Sequence, residues 1–106
     1  MRKEKLIEII YERLPNYNKY EITRIVNEFL EVIKEILSKG EEIELRGFGT
    51  FYVKNRNAKK VRNPKTGEIK FIEKRKVPYF KPGVVMKDIV NSGNYYRVTK
   101  NRKEGE

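Results

Sequence analysis

The chain has 106 residues with no Cys and no His, and its 25 Lys and Arg outnumber 15 Asp and Glu for a formal charge of +10. The length allows one small domain, and the missing residue types exclude a disulfide framework, a thiolate metal site and the commonest acid–base group, so a non-enzyme with no metal or cofactor is expected. No run of about eighteen apolar residues is present to span a membrane, and Met1-Arg2-Lys3-Glu4-Lys5 lacks the apolar block of a signal peptide, so a cytoplasmic location is expected.

Leu6, Ile9, Ile10 and Leu14 recur at helical spacing until Pro15 stops the pattern. This first helix has a poor start, because no Ser, Thr, Asp or Asn precedes Lys3. The second helix has the strongest signal. Asn18 and Glu21 form a variant of the capping box, and Ile22, Ile25, Val26, Phe29, Leu30, Ile33, Ile36 and Leu37 follow on one stripe. Gly40 suits the position just past its end. At Glu41 the period falls to two: Ile43 and Leu45 alternate with Glu42, Glu44 and Arg46 as a half-buried strand. Gly47-Phe48-Gly49 turns the chain, and Phe51 and Val53 open a second strand.

From Lys54 to Lys76 ten Lys and Arg meet only Glu68 and Glu73, whereas Met1 to Val53 is nearly balanced. Charge concentrated this way is the footprint of a site for a polyanion. Within the same stretch Asn63-Pro64-Lys65-Thr66-Gly67 reads as a turn, with Pro64 fixing φ and Gly67 supplying a permissive backbone. Ile69 and Phe71 return antiparallel, so residues 54–76 read as one long hairpin reaching roughly 33 Å at about 3.3 Å per residue. Val77-Pro78-Tyr79-Phe80 is a last strand, placed at an edge by Pro78. Pro82 and Gly83 introduce a short helix carrying Val85, Met86, Ile89 and Val90, and Ser92-Gly93 ends it. From Asn94 to Glu106 no period is sustained, and a flexible tail over 93–106 is expected, with Tyr95, Tyr96 and Val98 as its apolar hooks.

The expected fold is α+β: an N-terminal helical hairpin, a three-stranded antiparallel sheet with a long protruding β-arm, and a short C-terminal helix, within a domain over 1–92. The hairpin's few apolar residues, Ala58, Val61, Ile69, Phe71 and Ile72, leave it projecting from the body. The remainder must bury the helical faces together with Phe48, Phe51, Tyr79 and Phe80, a single core too small to be secure. The wide stripe of the second helix, Phe29 included, therefore points to a homodimer.

Four motifs in order, Gly47-Phe48-Gly49-Thr50-Phe51, Arg56, Arg62-Asn63-Pro64-Lys65-Thr66-Gly67 and Phe80-Lys81-Pro82-Gly83, resemble the HU/IHF family of bacterial histone-like DNA-bending proteins. The resemblance covers Met1 to about Ser92. It implies an intertwined dimer whose two arms reach around DNA, each tipped by a proline that wedges between base pairs. Here the wedge is Pro64, supported by Arg62 and Asn63. Phe48, Phe51 and Phe80 match aromatic positions of the family's dimer core. Val61 stands where the family usually has Gly, Lys59 (followed by Lys60) where it has a second arginine, and the tail is longer than is typical.

On this reading Lys54, Lys59, Lys60, Lys65, Lys70, Lys74, Arg75 and Lys76 neutralise phosphates, giving affinity without base identity. Arg56 and Arg62 suit the minor-groove floor, and Pro64 unstacks a base step without abandoning a hydrogen bond. Arg46, beside small residues that permit close backbone approach, is a further candidate, as are Lys3, Lys81 and Lys87 at the flanks. The expected partners are duplex DNA, especially bent, nicked or flexible DNA, and a second chain, identical or related, with no small-molecule substrate. A nucleoid-associated, HU-like role with little sequence selectivity is favoured, an IHF-like subunit with preferred sites is the alternative, and RNA binding is third, because no RNA-reading signature is present.

Overall fold

The computed structural model describes residues 1–95. Helix α1 spans Lys3–Arg13, and its N-cap Arg2 makes no side-chain capping bond. The helix stops two residues short of Pro15: Leu14, just before it, adopts φ −125° and ψ 66°, in keeping with the bar that proline sets on helical backbone before it. Helix α2 spans Lys19–Ser38. Asn18 Oδ1 accepts from the Glu21 N–H at 2.8 Å, and Asn18 Nδ2 donates to Glu21 Oε1 at 2.9 Å. The cap thus closes side chain to side chain, where a capping box returns to the backbone. At the other end Gly40 has φ 81°. Its N–H donates to Leu37 O at 2.9 Å, and the Glu41 N–H to Ile36 O at 3.2 Å, the bond pair of a Schellman stop.

Five strands and a helix follow: β1 Ile43–Leu45, β2 Gly49–Arg56, β3 Lys59–Arg62, β4 Ile69–Ile72, β5 Arg75–Pro82 and α3 Val84–Ser92. The main sheet has the order β1-β2-β5, with Pro78 on an edge strand as its missing N–H requires, and β3 and β4 make a separate two-stranded ladder. All pairings are antiparallel. This is the α+β architecture expected, extended arm included. One feature of the arm was not legible. The β2–β5 ladder ends at Arg56↔Arg75, and the β3–β4 ladder resumes at Lys59↔Ile72. Residues 57–58 and 73–74 interrupt the arm without shifting its register.

Pairing and pleat sort the side chains of β2 and β5 onto two faces. Val53, Lys76 and Pro78 line a hollow with Lys34, Leu37 and Ser38 of α2, so this face lies toward the helices. Phe51 and Phe80, register partners on the same face, cluster with Phe48 in tilted contacts: ring centroids are 4.8 Å apart for Phe51–Phe80 and 5.2 Å for Phe48–Phe80. Tyr79, expected in the core, has the opposite parity and points away from the helices. The reason is the alternation itself, since Phe80 and Tyr79 are neighbours on one strand and cannot share a face.

The core within one chain is thin. Among the described apolar residues only Ile7 and Ile22 are buried, where α1 packs on α2. Ile7 fell outside the expected stripe of the first helix, whose members Leu6 and Leu14 are exposed. The radius of gyration is 19.2 Å, against about 13 Å for a compact chain of this length, because the arm projects. The expected tail lies, from residue 96 onward and so with Tyr96 and Val98, outside the described residues.

Gly49 is the most tightly enclosed of the described glycines. A Cβ there would stand 2.6 Å from both the Lys81 carbonyl oxygen and the Phe80 ring. Gly49→Ala is therefore expected to destabilise the protein by about 1–3 kcal/mol, the usual range for overpacking, seen as a lower Tm by circular dichroism. An unchanged Tm would contradict the close approach.

Candidate nucleic-acid interface

The outward face of β2 and β5 carries Tyr52, Lys54 and Arg56 opposite Tyr79, Val77 and Arg75. Tyr52 and Tyr79 stack with ring centroids 5.9 Å apart and planes 22° from parallel. The Lys54 ammonium lies 5.8 Å from the Tyr52 ring centroid and 5.2 Å from that of Tyr79, within cation–π reach of both. The Arg56 guanidinium stands 5.2 Å from the Tyr79 ring, and its Nη2 donates to Tyr79 Oη at 2.7 Å. That hydrogen bond holds the Tyr79 phenol below its ordinary value of 10.0. The charges of Arg56, Lys54 and Arg75 act in the same direction, and desolvation opposes them.

Beyond the interruption each rung of the arm couples one cation to one apolar residue: Lys59↔Ile72, Lys60↔Phe71, Val61↔Lys70 and Arg62↔Ile69. Ile69 and Phe71 are 62% and 61% exposed, so this apolar surface faces solvent. The tip is tightly built. Asn63 O accepts from the Gly67 N–H at 2.8 Å, the Asn63 N–H donates to Glu68 O at 2.8 Å, and Asn63 Oδ1 accepts from the Lys65 N–H at 2.9 Å. Gly67 has φ 75°, the left-handed backbone that only glycine adopts readily. Pro64 is thereby presented at the apex of a closed turn.

The site residues singled out from the sequence fall into separate groups. Lys54, Arg56 and Arg75 share the outward sheet face, with Lys59 close by in a cleft at the arm's root. Lys60, Arg62, Asn63, Pro64, Lys65 and Lys70 lie on the outer ladder and tip, and Lys74 at the interruption. Lys76 points the other way, into the hollow against α2. Arg46 is in the turn after β1, Lys81 pairs with Thr50 on β5, Lys87 is on α3, and Lys3 opens α1 beside Asn27 and Leu30. Tyr52 and Tyr79 were missed as members of this surface. Their signal was present: each sits out of phase with Phe51, Val53, Pro78 and Phe80.

Fold and surface together define a small α+β protein that displays a basic, proline-tipped β-arm. A family profile described as "Bacterial DNA-binding protein" matches residues 1–91. HU from Anabaena, solved in a cocrystal with DNA, is 33% identical with a TM-score of 0.76, covering 85% of this chain and 97% of its own. HU from Thermotoga maritima is 30% identical with a TM-score of 0.60, covering 85% and 98%. A mutant of transcription factor 1, solved in solution, is 28% identical with a TM-score of 0.59, covering 92% and 96%. The chain belongs to the HU family of bacterial DNA-binding proteins, which are structural and not enzymatic.

The Arg56–Tyr79 bond has a direct spectroscopic test. NMR titration of ring-labelled tyrosine is expected to find Tyr79 ionising below 10.0, and Arg56→Gln is expected to move the midpoint back up. A midpoint indifferent to that replacement would show that the bond does not persist in solution.

Proposed function

We propose that this protein acts as a dimer that grips duplex DNA through the minor groove and bends it, with little sequence selectivity, as an HU-like, nucleoid-associated protein. The observation that carries this reading is the arm: a ribbon whose every outer rung pairs a cation with an apolar side chain, three of the four apolar partners exposed, closed by a turn that presents Pro64. In a groove walled by phosphates and floored by base edges, cations neutralise the walls and release counterions while apolar groups lie against sugars and the floor. Pro64 has no N–H to leave unsatisfied, so it can enter a base step. Unstacking costs a few kcal/mol per step, which bent DNA offsets by meeting more positive surface. Lys54, Arg56, Lys59, Lys60, Lys65, Lys70, Lys74 and Arg75 serve the phosphates, with Arg62, beside the tip, nearer the groove. Asn63 Oδ1 accepts from the Lys65 N–H, so the turn orients this side chain beside Pro64.

The dimer follows from burial. Ile25 is 63%, Phe29 53% and Phe48 41% exposed in the single chain, far more apolar surface than a monomer of this size leaves in water. Phe29, Phe48, Phe51 and Phe80 are the proposed dimer core. Sedimentation equilibrium is expected to give a dimer whose Tm rises with protein concentration, and Phe29→Asp is expected to abolish both association and the folded signal. A monomer with a concentration-independent Tm would refute the dimer.

Pro64→Ala is expected to reduce the bend, measured by FRET between duplex ends, while weakening Kd by less than about tenfold, or about 1.4 kcal/mol. An unchanged bend would remove the wedge. Equal affinity for straight and nicked duplex, with no bend, would remove the proposal.

A further inference from the structure

The outward face of the main sheet has features that groove insertion and wedging leave unused. Two tyrosines stack there on the side away from the helices, where strand propensity alone would be met by smaller residues. At the far end of the same face Arg56 and Arg75 are direct cross-strand partners. Like charges placed opposite one another destabilise a ladder, and an anion between them would reverse the sign. Arg56, Lys59 and Arg75, with Asn57, Ala58 and Tyr79, line a polar cleft of about 520 Å³ where the arm's ladder is interrupted. Three cations and no carboxylate line it. The ion pairs among the described residues lie instead on the helices, Lys5 and Lys19 with Glu8 and Lys34 with Glu31.

Arg56 is not loose beside this cleft. One edge of its guanidinium is engaged by Tyr79, through the 2.7 Å bond to the hydroxyl and the contact with the ring, and Tyr79 is itself stacked on Tyr52. A guanidinium has five N–H donors in a rigid fork, so the edge not used by Tyr79 can meet a phosphate in paired hydrogen bonds. Holding a rotamer-rich side chain in its bound position beforehand reduces the ordering required on binding.

We propose that Tyr79 is a positioning residue: braced by Tyr52, it holds Arg56 at the root of the arm so that the cleft shared with Lys59 and Arg75 receives a backbone phosphate of the bound duplex. This inference rests on the duplex-binding reading above. It assigns the arm's root a backbone seat distinct from the wedge at the tip, and gives this role to two aromatic residues that touch no base.

The test uses the full chain and a labelled nicked duplex, with Kd measured across a salt series. Tyr79→Phe keeps the ring and removes the hydroxyl. It is expected to weaken binding by about three- to tenfold and to lower the slope of log Kd against log salt by up to about one per protomer, the signature of one lost phosphate. Arg56→Lys keeps the charge without the fork and is expected to match it. In an Arg56→Gln background Tyr79→Phe is expected to add nothing, because both act through one contact. Wild-type affinity and slope in Tyr79→Phe, or losses that add in the double variant, would overturn the positioning role while leaving duplex bending intact. A wild-type protein that does not bind duplex would overturn both readings.

Discussion

The pleat of the β2–β5 pair is the constraint on which the rest depends. A single backbone ladder sends Phe51, Val53, Pro78 and Phe80 toward the helices and Tyr52, Lys54, Arg56 and Tyr79 outward. Shifting the pairing by one residue would exchange the two sets, exposing the phenylalanines and driving cations against α2. Gly49 secures the register at the base, since the Phe80 ring and the Lys81 carbonyl occupy the space a side chain would need. Core and binding surface are thus two sides of the same eight rungs.

Charge and burial divide the molecule along the same line. The helical part is close to neutral and makes its ion pairs internally, while none of the ion pairs among the described residues involves the arm. Such a ribbon is marginal alone in water. Here it grows from a sheet whose base is anchored by the Phe48–Phe51–Phe80 cluster, and the tip is closed by its own turn bonds. The helices hold only Ile7 and Ile22 out of water within one chain, so the platform that carries the arm is itself incomplete without a second chain.

Much of this was legible where a residue type carries its own stereochemical rule. Asn18 with Glu21 and Gly40 bounded α2, and Pro64 with Gly67 located the tip. The three-stranded sheet and arm followed from the change of period at Glu41. What escaped has a physical reason in each case. Tyr79 was grouped with the phenylalanines because all are large and aromatic, although alternation along β5 separates them. Ile7 was passed over although it stands three and seven residues before Ile10 and Leu14 on the same broad face, and its packing on α2 singles it out. The break at 57–58 and 73–74 is written as Asn-Ala and Glu-Lys, with neither Gly nor Pro to mark it. The site residues divided less cleanly: the basic stretch was plain, but its partition between faces, with Lys76 turned inward, needed the register.

That break has an arithmetic consequence. It omits two residues on each strand, so the inner and outer ladders keep one pairing register. An insertion on one strand alone would slip every rung beyond it, whereas equal insertions on both would lengthen the arm and keep Pro64 and Gly67 at its tip.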